Sequence, residues 1–170
     1  MRRTRTKGTQ LWIADFRVYE IHELIHDRKV QSWCKLKYPG HPNGCPNYDK
    51  AKKCPPQCKY ITEVFDLSKP LYFVHSEFDL AGHVLKMKKK HPNWSDRQAR
   101  CVLYWQNTSR KQLMARAMEA RRHLGCKTFT LMPEALGVNV YVTAKLAGLK
   151  LEPIRKLKTC RHVALLGDTI

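Results

Sequence analysis

Four cysteines, Cys34, Cys45, Cys54 and Cys58, fall in one stretch, separated by ten, eight and three residues. Four thiolates are the donor set that structural zinc and iron–sulfur clusters take. The spacing is neither the paired knuckle of zinc fingers nor the compact run of bacterial ferredoxins, so the surrounding residues carry much of the weight. Cys45 and Cys54 are each followed by proline, which removes an amide donor and keeps the preceding cysteine out of the helical region. Six lysines (Lys35, Lys37, Lys50, Lys52, Lys53, Lys59) interleave with the thiols against one acid, Asp49. Nearby cations lower a thiol's pKa and favour the thiolate that a metal needs. The bland alternative is four reduced, incidental cysteines. Unliganded cysteine is ordinarily buried, however, and a lysine- and proline-rich loop offers little burial. Cys101 is the alternative ligand, because a donor from outside the loop would tie it down. Cys126 and Cys160, single residues beside expected helices or strands, read as small core hydrophobes.

Other residues suggest other chemistry. His22-Glu23-Leu24-Ile25-His26 matches H-E-x-x-H, which on a helix places two imidazoles on zinc and a carboxylate beside a water. The match is short, lies in a basic context, and overlaps a stretch that reads better as a strand. A zinc peptidase is therefore the weakest of three expectations. Glu134 reads as a partner of a helix N-terminus, and Gly137 has no companion glycines to build a phosphate loop. Trp94, Tyr104 and Trp105 lie near Arg97, Arg100, Arg110 and Lys111, a mixture that suits stacking on a single strand of nucleic acid. At helical spacing such aromatics are more often core, and core is the expectation here.

Trp33-Cys34, Gly44-Cys45-Pro46-Asn47-Tyr48 and Cys54-Pro55-Pro56 together resemble the amino-terminal signature of the metal-binding proteins of domain-of-unknown-function family 2284. Pro133-Glu134-Ala135-Leu136-Gly137-Val138-Asn139-Val140, with Thr143 and Ala147-Gly148 behind it, is similar to that family's carboxy-terminal stretch. The resemblance implies a soluble bacterial or archaeal protein with a cysteine-bound metal, an iron–sulfur centre or else zinc, and it brings no settled activity. The chain departs from the family in lacking a close pair of cysteines at Cys34 and a central cysteine-rich insert. Cys45 and Cys54 are the positions that transfer; Cys34 and Cys58 rest on this sequence alone.

The whole chain has 170 residues, with 32 Lys and Arg against 14 Asp and Glu, a formal charge of +18. Such an excess repels itself and points to an anionic partner, a nucleic acid or another polyanion. No apolar run approaches the ~20 residues of a membrane span, and the basic amino terminus lacks the apolar core of a signal peptide. With seven cysteines, an odd number, this favours reduced thiols and a cytoplasmic protein over a disulfide framework. Nothing in the sequence sets the oligomeric state.

Around the thiols, residues 1–10 read as a basic flexible arm (Arg2, Arg3, Arg5, Lys7), and residues 11–170 as one domain. Residues 33–60 hold five of the nine prolines and no regular apolar period, so they read as a long metal-binding loop. Strands are expected at Arg17–Ile21, Leu71–Val74, Thr128–Leu131 and His162–Leu166, and helices at Leu80–Lys90, Arg110–Leu124 and Ala135–Ala147. The helix Arg110–Leu124 has Thr108 or Ser109 as its cap. Ser95 and Gln98 form a capping-box pattern for a further helix that would carry Cys101, Leu103 and Tyr104. Alternating strands and helices predict an α/β sandwich with a mixed or parallel sheet.

Overall fold

A computed structural model describes residues 9–37, 41–153 and 156–170. The basic residues Arg2, Arg3, Arg5 and Lys7 lie outside the described residues. Gln10 begins the first strand, and the carbonyl of Thr9 just before it accepts from the Glu20 N–H at 3.0 Å.

In chain order the elements are β1 (Gln10–Ile13), β2 (Phe16–Ile21), α1 (Arg28–Ser32), β3 (Leu71–His75), β4 (Phe78–Asp79) and α2 (Leu80–Lys90). There follow α3 (Asp96–Ala99), α4 (Gln106–Leu124), β5 (Thr128–Thr130), α5 (Val140–Ala147), β6 (Thr159–Cys160) and β7 (Val163–Gly167). Five strands form one sheet in the order β1-β2-β3-β7-β5, and β4 pairs with β6 in a small second one.

Every strand pair is antiparallel. This corrects the expected mixed or parallel sheet; the coarser reading of helices packed on a sheet stands. Between β3 and β5 the chain makes α2, α3 and α4, an excursion long enough to return in either direction. Alternation of elements therefore did not constrain strand direction.

Both faces of the sheet are covered, so its strands carry apolar residues on both sides. On one face Tyr19, Ile21, Phe73 and Leu165 pack with Ile61, Phe65 and the α5 residues Val140, Ala144 and Ala147. On the other, Val18, Val74 and Leu166 meet Leu113, Ala117 and Ala120 of α4. Fully burying side chains of this size contributes roughly 1.5–3 kcal/mol each. A third cluster, Leu80, Val84, Ala99, Trp105 and Cys160, seats α2 and α3 beside the small sheet.

Three expected helices differ in extent. The Ser95–Gln98 capping box is present, but its helix stops at Ala99, and Cys101 leads into a separate 3-10 turn at Val102–Tyr104. α4 begins at Gln106 with no side-chain cap, and Ser109 spends its hydroxyl elsewhere. The expected helix over Ala135–Ala147 is split. Pro133–Leu136 is a 3-10 turn, Gly137 takes a left-handed conformation (φ 91°), and α5 starts afresh with the Asn139 side chain as its cap. A Cβ at Gly137 would drive into the Tyr60 ring, so close packing as well as backbone conformation demands glycine there.

Candidate metal centre

The described residues of 33–60 contain turns and one short 3-10 segment, Trp33–Lys35, with α1 leading in. Local hydrogen bonds supply the order. The Cys45 N–H donates to the Cys34 carbonyl at 2.7 Å, which brings the first two cysteines side by side across the loop. Gly44 (φ 82°) permits this, since a Cβ there would lie 2.5 Å from that same carbonyl oxygen. The N–H groups of Gln57 and Cys58 both donate to the Cys54 carbonyl at 3.1 Å, turning the last two thiols into one tight bend.

The loop docks on the 3-10 turn that precedes Gly137. Gln31 of α1 donates to the Ala135 carbonyl at 2.9 Å, and the Cys58 thiol donates to the same oxygen at 2.9 Å. Asp27 N–H reaches the Gly137 carbonyl at 2.9 Å, and His26 Nδ1 lies 2.8 Å from the Tyr60 hydroxyl. The two motif stretches, far apart in sequence, are thus neighbours in space. Gln31, Glu134 and Ala135 are the residues that the cysteine spacing alone did not reveal. The signal for Glu134 and Ala135 was the Pro133–Val140 motif, whose place beside the loop is a tertiary fact; Gln31 had no signal in the sequence.

Cys34, Cys45, Cys54 and Cys58 are all free and half-buried. Burial pushes the Cys34 thiol up, and the nearby Cys45, Cys54 and Cys58, with Glu134, push it further. Burial also raises Cys58, offset by the hydrogen bond Gln31 gives it. At Cys34 and Cys58, therefore, no lysine lowers the thiol's pKa as expected. All six are exposed to water, and the Lys35 ammonium lies over the Tyr48 ring, 5.2 Å from its centre. Water screens such charges, and burial wins at Cys34 and Cys58. The four thiols share one neighbourhood without forming a closed ligand set: among the described residues, no group of three or more His, Cys, Asp or Glu side chains is drawn together tightly enough to hold a metal ion.

No family model matches the chain, and neither does any curated protein or solved structure. Chemistry has to be argued from the residues themselves.

Cys101 is not among the groups that act on Cys34; it sits at the end of α3, where its N–H bonds the Gln98 carbonyl. Cys126 and Cys160 are buried in the second and third apolar clusters, and burial pushes Cys160 up to about 11. His22 to Ile25 is bend and coil, and His26 forms an isolated bridge with Val138. The helix that H-E-x-x-H requires is absent there, and the two imidazoles have different partners, the Thr9 amide and the Tyr60 hydroxyl.

The aromatic trio divides. Trp105 is core at 5% exposure, whereas Tyr104 is 55% exposed, and Trp94 lies between them in burial. Trp94 stacks on His91 with ring centres 4.1 Å apart and contacts Tyr104 at 5.2 Å. Lys88, Lys89 and Lys90 form the last turn of α2, just before His91 in the chain, and Lys88 pairs with Asp96 at 2.8 Å. No helix among the described residues is long and apolar enough to cross a membrane.

Proposed function

We propose that the chain is a cysteine-ligated metal-binding protein in which Cys34, Cys45, Cys54 and Cys58 hold an iron–sulfur centre, with zinc as the alternative metal. One observation carries the reading: three other free thiols lie within electrostatic reach of Cys34, in a loop that contains little other than turns. Soft thiolates suit both metals. Binding would relieve the repulsion that works against ionisation of Cys34 and Cys58, and in this reading the metal itself closes the ligand set. An iron–sulfur centre supplies one-electron transfer, hence a role in redox or sulfur-related chemistry. The protein's part is to hold the thiols, through the Cys34–Cys45 backbone bond and the docking on Ala135. The likeness to the 2284 family, which rests on motif residues, points the same way; a cytoplasmic setting, which would keep the thiols reduced, belongs to the same reading.

Anaerobic purification followed by metal analysis tests this. A brown protein with about four irons per chain, lost in Cys45→Ser or Cys54→Ser and kept in Cys160→Ser, is the expected result. A well-folded, oxygen-protected chain without stoichiometric transition metal would overturn it.

A second reading has its own support. In it, zinc only stabilises the loop, and the basic surface binds nucleic acid. The stacked His91, Trp94 and exposed Tyr104, with Lys88–Lys90 preceding them in the chain, offer the aromatic faces and cations that single strands use. Colourless protein with one zinc, and binding to single-stranded DNA that weakens steeply with salt, would favour this reading over the first.

A further inference from the structure

A cavity of about 570 Å³ opens where β5 and β7 part. Their ladder ends at the pair Thr130 and Leu165. The Met132 N–H then turns back to the Thr130 hydroxyl oxygen at 3.2 Å, and Pro133 starts the 3-10 turn, carrying the chain away from the strand. The space left is walled by Leu131, Val140, Leu151, Leu157 and Val163. Its volume and apolar walls are those of a small-molecule site.

The polar groups of this cavity can be sorted by what already engages them. Glu152 accepts from the N–H groups of Lys158 and Thr159, and Arg161 pairs with Glu77 at 3.0 Å. Arg110 is exposed on α4 and makes no ion pair among the described residues. Glu134 also lines the cavity; its surface is exposed, and packing around its carboxyl raises its pKa, which favours the neutral acid.

His162 is the informative member. Its backbone N–H donates to Ser76 Oγ at 3.0 Å, Ser76 Oγ and Ser109 Oγ are 2.8 Å apart, and Ser109 Oγ lies 2.8 Å from His162 Nδ1. Each buried hydroxyl has one hydrogen to place. Were Ser109 to donate to Ser76, the Ser76 hydrogen would have no acceptor among the described residues, an arrangement that costs free energy in a buried site. With Ser76 donating to Ser109 and Ser109 donating to Nδ1, every hydrogen is placed. Counting hydrogens in this way assigns the ring proton to Nε2. Nε2 makes no hydrogen bond to the described residues, and His162 lines the cavity with Arg110 near enough to act on its ring.

We propose that this cavity binds a small organic carboxylate, its apolar body against Leu131, Leu151 and Val163 and its carboxylate between the Arg110 guanidinium and His162 Nε2–H. Burial and the Arg110 charge both lower the pKa of His162, which favours the neutral ring. No part of this needs a metal at the cysteines.

The test uses the full chain, with benzoate as the probe and benzylamine and benzyl alcohol as controls, followed by ligand-observed NMR and calorimetry. Benzoate is expected to bind in preference to both controls. Arg110→Gln should weaken it at least about tenfold, the loss of one charge-assisted contact, and Leu131→Trp should abolish binding by filling the space. Arg110 is exposed, so its variant keeps the test valid if the larger substitution unfolds the chain. Benzoate binding no better than benzylamine, binding unchanged in Arg110→Gln, or no binding to folded protein would each overturn the proposal.

Discussion

The Cys58 thiol donates a hydrogen bond to the Ala135 carbonyl oxygen, 2.9 Å away, and Gln31 donates to the same oxygen. A thiolate has no hydrogen to give. If Cys58 becomes a metal ligand, this bond breaks on loading and Gln31 alone holds the carbonyl. Anaerobic titration with iron and sulfide, or with zinc, should therefore shift the amide signal of Leu136, whose peptide bond carries that oxygen. If the signal stays in place while metal binds, Cys58 is not a ligand, and the set lies with other residues.

Gly137 separates the 3-10 turn from α5 and lies against Tyr60. Gly137→Ala meets two obstacles, a positive φ and a Cβ inside the space of the Tyr60 ring, so the expected loss is about 2–4 kcal/mol in urea unfolding. Gly125→Ala is the control. It also sits at positive φ (70°), but nothing lies within 4 Å of its added Cβ, so only the backbone cost of about 1 kcal/mol remains. Equal losses at both sites would show that the contact with Tyr60 contributes nothing.

Burial depresses the pKa of His75, with Arg161 and Arg116 adding to the effect against the Ser76 carbonyl and Glu77. Burial depresses His162 too, with Arg110 adding to it. For both, the folded chain binds protons less readily than the unfolded chain, so their contribution to stability is complete above the ordinary histidine value of about 6.5. It is lost progressively as pH falls below that value through the folded pKa values. Melting temperature should drop between pH 7 and 5, and His75→Gln should flatten the profile over that range. The carboxylates of Asp66, Asp96 and Glu152, held low by hydrogen bonds, act only in the range below about 4.

Much of the scaffold was legible in the residues because its signals are local. The run Leu71–Val74 behind Pro70, the helix Leu80–Lys90 ended by Pro92, and the Ser95–Gln98 box all depend on neighbours within a few positions. Strand direction was not legible, since it is set by how far the chain travels between pairings. Ser109 was misread as a cap for a related reason: a hydroxyl near a helix start ordinarily serves local amides. Here it reaches Ser76 and His162 across the fold. The cysteine loop falls between these cases. Its residue types led to the expectation of a shared role, but its docking on Ala135 joins segments 77 positions apart.

Ser109 offers the most direct test of that buried chain of hydrogen bonds. Its hydroxyl accepts from Ser76 and donates to His162 Nδ1, and 1% of its surface meets water. Ser109→Ala leaves the Ser76 hydrogen without an acceptor and Nδ1 without a donor, while alanine favours the helix slightly more than serine. The unsatisfied groups dominate, and the expected net loss is about 1–3 kcal/mol. The ring should respond as well. Freed from Ser109, Nδ1 no longer has to remain an acceptor, so the Nε2–H tautomer of His162 should give way to a mixture, readable from its ring nitrogen shifts. A variant that loses stability but keeps a pure Nε2–H ring would mean that something other than Ser109 sets the tautomer.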